Sequence, residues 1–183
     1  RQHEERDEDR AAGQGIEELV VADILAPPGG STVTAVADFQ GFVHDPLEEV
    51  PDAPLIDGRF AGGTGVDYVG GAPEQLVWIG AEYNIYWDPN RRSRAARSFD
   101  GGATWEELPN LEPDMFGGNI AVSADDPDNI VWLPSNLLSP FEHLDIPKGL
   151  FATTDGGQTW TRLADVGGTN ALHRFMWWFG RQA

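Results

Sequence analysis

The sequence predicts an all-β fold of short strands grouped into four-stranded repeats, and three observations carry the prediction. Gly and Pro number 22 and 13 in a chain of 183 residues, spread evenly and without a collagen-like period, as tight turns between many strands require. No window places apolar residues at i, i+3, i+4 and i+7 without an intervening Gly or Pro, so nothing reads as an amphipathic helix. One eight-residue pattern occurs twice, at 98–105 and 153–160, which marks a repeat architecture.

Residues 1–15 are almost wholly polar and bury too little apolar area to offset ordering entropy, so they read as a tail or external loop. The remainder, 16–183, reads as one repeated unit. Leu19, Val20, Val21, Ile24 and Leu25 form an apolar run stopped by Pro27-Pro28-Gly29-Gly30, a strand followed by a turn. A second strand spans 32–36, with Val33, Ala35 and Ala37 on one face and Thr34, Val36 and Asp38 on the other, so Asp38 falls at a strand end. Residues 41–60 carry Pro46, Pro51 and Pro54 among acidic residues and read as a long surface loop. Further strands are expected at 65–69, 74–80, 94–98, 119–123, 129–133, 148–153 and 172–179.

The repeated pattern reads Ser98-Phe99-Asp100-Gly101-Gly102-Ala103-Thr104-Trp105 and Thr153-Thr154-Asp155-Gly156-Gly157-Gln158-Thr159-Trp160. It is the Asp box, hydroxyl-x-Asp-x-Gly-x-Thr-Trp. The expected turn has its carboxylate accepting loop N–H groups, its glycines at positive φ and its Trp packed beneath. Asp100, Gly102, Trp105, Asp155, Gly157 and Trp160 are therefore assigned structural roles rather than catalysis. Leu108 and Leu163 follow the two boxes at matching positions, which adds an outer strand to each hairpin. The boxes stand about 55 residues apart, one four-stranded propeller blade with an enlarged loop. The chain then supplies about three blades, fewer than the four to eight a closed propeller typically needs, so an incomplete propeller is expected.

A net charge of −18 opposes phosphate backbones and anionic lipid heads, so neither nucleic acid nor membrane is expected as a partner. Arg91, Arg92, Arg94 and Arg97 form the one basic cluster, lack interleaved aromatics and read as a solvated loop. With no Cys there is no disulfide or thiolate chemistry. Asp125, Asp126 and Asp128 lack the ordered EF-hand spacing and read as a turn, and the histidines show no zinc-type spacing, so no metal or cofactor is assigned.

The residues around the boxes resemble a known family. The runs from Gly117 to Asp125 and from Asn129 to Pro134, together with Leu25-Ala26-Pro27-Pro28 and Asp38-Phe39-Gln40-Gly41-Phe42-Val43-His44-Asp45, are similar to glycoside hydrolase family 74, the xyloglucanases. The resemblance implies two seven-bladed propellers with a polysaccharide cleft between them, one catalytic Asp from each, and no cofactor. It places this chain at the start of the second propeller and puts the general acid on Asp38, with the other carboxylate on a first propeller. It also implies a secreted enzyme acting on xyloglucan or another β-glucan, with this polypeptide inactive alone. Ala37 and Gln40 stand where the family has Gly.

Four further residues are candidates for substrate contact. His44 shares the segment of Asp38, while Tyr86 and Trp87, beside Tyr83, and Trp178 offer flat faces on which glucan chains stack; loop or core packing is the competing role of each. Two other functions compete with hydrolysis of xyloglucan. A non-catalytic Asp-box propeller of the sortilin type, binding a protein or glycan, would have no need of the 38–45 segment. A sialidase would need a triad of separated arginines, whereas those here are clustered.

Overall fold

The computed structural model describes residues 20–37, 39–51, 53–56, 62–81, 93–111, 116–135 and 149–164, whose regular structure is entirely β. The first sheet contains β1 (Val21–Leu25), β2 (Thr32–Val36) and β3 (Gly41–His44). The second contains β4 (Gly62–Val69), β5 (Ala72–Ala81), β6 (Ser93–Ser98) and β7 (Glu106–Glu107). The third contains β8 (Phe116–Val122), β9 (Ile130–Ser135), β10 (Leu150–Thr153) and β11 (Thr161–Ala164). Within each sheet, chain neighbours pair antiparallel in order, the meander of a propeller blade. The strand expected at 172–179 and the tail at 1–15 lie outside the described residues.

Two expectations need correction. Residues 41–60 are not one irregular loop. The prolines that prevent a ladder begin at Pro46, so the Pro-free stretch before them pairs with β2, from Ala35↔Gly41 to Thr32↔His44. Further on, Leu55 and Ile56 are buried in the core, and the Leu55 N–H donates to the Gly41 carbonyl at 2.8 Å. Leu108 makes the matching bond to Ala95 in the second sheet, also at 2.8 Å, so Leu55 takes the fourth-strand place beside β3. The second correction concerns the reading of Arg94 and Arg97 as part of a solvated loop: the strand expected at 94–98 forms as β6, and both arginines lie in it. Arg94 pairs with Glu107, and Arg97 with Glu106 at 2.7 Å and Asp128 at 2.9 Å, so cross-strand and cross-sheet carboxylates hold them. Arg91 and Arg92 lie outside the described residues.

The run Leu76-Val77-Trp78-Ile79 is apolar on both faces because the middle sheet is covered on both. Successive strand side chains point to opposite faces. Leu76 and Trp78 join Val33, Ala35, Leu55 and Ile56 of the first sheet in one core, whereas Val77 and Ile79 join Ile120, Ile130, Trp132 and Phe151 of the third in another. Each core is an interface between consecutive blades.

Inner strands β1, β4 and β8 run side by side in the same direction. Asp23 on β1 accepts the Val66 N–H of β4 at 3.1 Å, and Asp67 on β4 accepts the Val122 N–H of β8 at 2.9 Å. This alignment gives the blades two distinct edges. The β2–β3 turn and the ends of strands flanking 82–92 and 136–148 share one edge, called upper here; the β1–β2, β4–β5 and β8–β9 hairpins and both Asp boxes share the lower one.

Candidate functional site

The β2–β3 turn brings the candidate acid's segment to the upper edge. Asp38 itself lies outside the described residues, but both of its neighbours are held. Ala37 N–H donates to the Val20 carbonyl at 2.8 Å, and Phe39 N–H closes a turn onto the Val36 carbonyl at 3.2 Å. On the next blade, the Gly63 N–H donates to the Phe39 carbonyl at 2.8 Å, and the buried Trp78 indole N–H donates to the Gln40 carbonyl at 2.8 Å. Gly41 has φ +136, and a Cβ there would collide with the Thr34 carbonyl, so the chain leaves the turn by a path only glycine follows without strain. Gln40, where the resemblance has Gly, is accommodated in a buried position at 4 % exposure.

The structure separates His44 from this turn. It pairs with Thr32 at the opposite end of β3, about 10 Å along the strand from Gly41 at roughly 3.3 Å per residue. Its Nε2 meets the Thr34 hydroxyl at 3.2 Å and its ring meets the edge of Phe42, with centroids 6.2 Å apart. Burial pushes the imidazole below its ordinary value, which favours the neutral form near pH 7. Phe39, exposed at the turn, stacks on Phe42, so Phe39, Phe42 and His44 form a file of rings down the face of the first blade that points away from the second. Tyr86 and Trp87 belong to the connection between Ala81 and Ser93, which leaves and re-enters at the upper edge; they and Trp178 lie outside the described residues.

Both Asp boxes close hairpins at the lower edge. Asp100 Oδ1 accepts the Ser98 hydroxyl and the Thr104 N–H, each at 2.8 Å, while Oδ2 accepts the Thr104 hydroxyl at 2.6 Å. Asp155 repeats the pattern with Thr153 at 2.6 Å and with the Thr159 N–H and hydroxyl at 2.9 and 2.6 Å. Thr104 chiefly, with Ser98, holds the Asp100 carboxyl below its ordinary value; the Thr153 and Thr159 hydroxyls pull Asp155 down to about 2. Gly101, Gly102, Gly156 and Gly157 all have positive φ. Trp105 packs against the core between blades one and two, and Trp160 against the core between blades two and three. Both carboxylates thus stand at the edge opposite the Asp38 turn, their oxygens taken up by their own hairpins. Asp126 and Asp128 belong to the β8–β9 hairpin, where Asp128 N–H bonds the Asp126 carboxylate at 3.0 Å. Among the described residues no three of His, Asp or Glu converge as a metal-binding group would require.

No family model matches the chain. A xyloglucanase of Acetivibrio thermocellus is 33% identical over 154 residues, which cover 84% of this chain and 16% of that protein. A Paenibacillus xyloglucanase is 32% identical over 152 residues, covering 81% and 13%. The crystal structure of the family 74 xyloglucanase from Xanthomonas campestris superposes with a TM-score of 0.65 at 30% identity, covering 81% of this chain and 20% of that one. The homologues of this chain are family 74 xyloglucanases. Its three all-β sheets match blades of the family 74 propeller structures. The chain spans about a sixth of the length of the Acetivibrio relative, 16%.

Sequence reasoning did not reveal the part of Trp78, Gly63 and Val20 in holding the turn. Trp78 and Gln40 are 38 positions apart, and a Trp within an apolar run reads as core whether or not its N–H has a distant partner.

Proposed function

We propose that this chain is part of a secreted family 74 glycoside hydrolase that cleaves the β-1,4-glucan backbone of xyloglucan with inversion, and that it supplies Asp38 as the general acid. The observation that carries the reading is the similarity to proteins named xyloglucanases over 84% of the chain, a span that takes in the 38–45 segment. Two features of the fold agree with it. The turn flanking position 38 lies at the upper edge with its neighbouring peptides fixed from three strands, as a group that must meet a reacting atom requires. The Asp-box carboxylates lie at the other edge, engaged by their own turns.

In this mechanism Asp38 protonates the leaving glucosyl oxygen. A second carboxylate on another propeller, roughly 6.5–9.5 Å away across the cleft, deprotonates the attacking water. This polypeptide by itself holds one of the two groups and is inactive. Secretion follows from the substrate, a polymer met outside the cell, and is checked by finding the protein in culture medium.

The test measures reducing sugar released from xyloglucan by the chain alone, by the chain with a first propeller of a family member, and by the same mixture carrying Asp38→Asn. Activity only in the mixture, lowered by roughly 10²–10⁴-fold in the variant, is expected. Full activity in Asp38→Asn refutes the acid assignment, and ordinary rates from the chain alone refute the divided pair. A folded mixture with no activity favours the propeller that binds without catalysis.

A further inference from the structure

Trp78 is fully buried in the core between the first two blades, yet its indole N–H is spent on the Gln40 carbonyl of the neighbouring blade's turn, 2.8 Å away. A core needs only the volume of such a side chain; the choice of a donor calls for a second reason. The surroundings supply one. Gln40 O also accepts the Val36 N–H at 3.3 Å, and the adjacent Phe39 carbonyl accepts Gly63 N–H at 2.8 Å, so the second blade grips two consecutive carbonyls just after position 38. The approach is so close that a Cβ on Gly63 would strike the Gln40 carbonyl and stand 2.8 Å from Trp78 Nε1. The matching tryptophan of the third blade behaves differently: Trp132, equally buried, donates at 2.6 Å to Gly117 in the neighbouring strand of its own sheet.

We propose that Trp78 is a positioning residue for the hydrolytic reaction. From the second blade its N–H pins the Gln40 carbonyl and so fixes where the turn between Val36 and Gly41 presents the acid. This rests on the reading of Asp38 as that acid. The Trp78 indole touches no substrate in this role; it sets the placement of a group that does. A displacement of about 1 Å in such a group is enough to cost roughly 10²-fold in rate.

The experiment removes a single donor. In the full chain, Trp78 is replaced by β-(3-benzothienyl)alanine, in which sulfur stands in place of the indole N–H and the ring volume is kept; the same analogue at Trp132 is the control. Each protein is examined by amide hydrogen exchange and, with the first propeller added, by xyloglucan hydrolysis. The analogue at 78 should speed exchange of the Val36 and Gly63 amides by roughly tenfold or more, as local opening becomes easier. It should lower kcat by roughly 10–100-fold with KM within about twofold. The analogue at 132 should leave those two amides and kcat unchanged. Gly63→Ala, which crowds the same contact from the other side, should reproduce the faster Val36 exchange.

Unchanged Val36 and Gly63 exchange in the Trp78 analogue overturns the proposal. So does an equal loss of kcat in both analogues, which would reveal only a general cost of losing a buried donor. Failure of the acid assignment is separate: full activity in Asp38→Asn removes the catalytic meaning of the anchor, whereas loss in Asp38→Asn with none in the Trp78 analogue overturns the anchor alone.

Discussion

Replacing Ser98 by alanine tests whether each Asp box is held by the hydroxyl that precedes it as much as by its aspartate. Ser98 is 1 % exposed, and its Oγ accepts the N–H of Gly102 at 2.8 Å and of Asp100 at 3.3 Å while donating to the Asp100 carboxylate at 2.8 Å. The three bonds are unequal in consequence. Water can replace the donor lost to the exposed carboxylate, but the Gly102 N–H is enclosed beneath the turn, and an enclosed N–H left without an acceptor costs about 1–3 kcal/mol. Loss of about 2 kcal/mol is expected, which for a chain of this size lowers Tm by about 4–8 °C. Thermal and urea unfolding are the assays, with Thr153→Ser as control. That change keeps the hydroxyl, gives the second box the residue the first already has, and should cost under about 1 kcal/mol. If Ser98→Ala unfolds within about 0.5 kcal/mol of the parent, below the 1–3 kcal/mol reserved for an orphaned donor, the Gly102 bond is not what closes the turn.

Three other outcomes follow from the same geometry. Asp155 has its carboxyl at about 2 in the fold against an ordinary 3.8, so its contribution is complete above the ordinary value and fades as pH falls through 2; Asp155→Asn should flatten the decline of Tm between pH 4 and 2, and an identical decline in both proteins would refute it. Gly101 and Gly156 share positive φ, 72 and 65, but a Cβ at 101 meets open space whereas one at 156 meets Arg97 Nη1 and Asp128 Oδ1, each at 2.7 Å; Gly156→Ala should exceed Gly101→Ala by up to about 1 kcal/mol in urea unfolding, the worth of an exposed ion pair, and the excess should vanish in an Arg97→Met background. Ile56→Ala, at a site 2 % exposed in the core between blades one and two, should cost about 2–5 kcal/mol and speed exchange of the Val36 and Gly63 amides while leaving that of Gly157 unchanged; uniform acceleration would show that the blades do not open separately.

What could be read from the sequence was whatever is encoded locally. The Asp boxes are visible because the carboxylate and hydroxyl bonds that shape them join residues two or four apart, as from Ser98 to Asp100 and Gly102. The strands are visible because β-branched and aromatic runs stop at Gly and Pro. β3 was hidden because three prolines follow it and lend their loop character to the whole stretch, although none lies within Gly41–His44. The strand at 94–98 was visible, but Arg94 and Arg97 within it read as solvated because the carboxylates that hold them come from Glu106, Glu107 and Asp128, farther along the chain. At the candidate site, Asp38 was reached through resemblance and not through local chemistry, since one carboxylate at a strand end has no distinguishing pattern. His44 was grouped with it by sequence proximity, but an extended strand rises about 3.3 Å per residue, so His44 stands at the far end of β3 from the turn, opposite Thr32.

The two edges of the blades are therefore stabilised in different ways. At the lower edge the carboxylate and hydroxyl bonds that shape each Asp box are internal to one hairpin, and one glycine N–H ties each box to a neighbouring strand end or hairpin of its own sheet, Gly101 to the Glu74 carbonyl and Gly156 to the Asp128 carbonyl. At the upper edge the hairpin's own bonds, Phe39 N–H to Val36 and Val36 N–H to Gln40, are joined by others from Val20, just before β1, and from Gly63 and Trp78 of the next blade. On the proposed reading, placement of the candidate acid then depends on the packing between blades as well as on the hairpin that carries it. Such an arrangement makes the site sensitive to core substitutions that touch neither substrate nor acid, because a small rotation of one blade shifts two consecutive carbonyls beside position 38. It also explains why tryptophan suits position 78 better than a purely apolar ring of similar volume: its indole N–H, bonded to the Gln40 carbonyl, ties close packing between blades to the position of the turn.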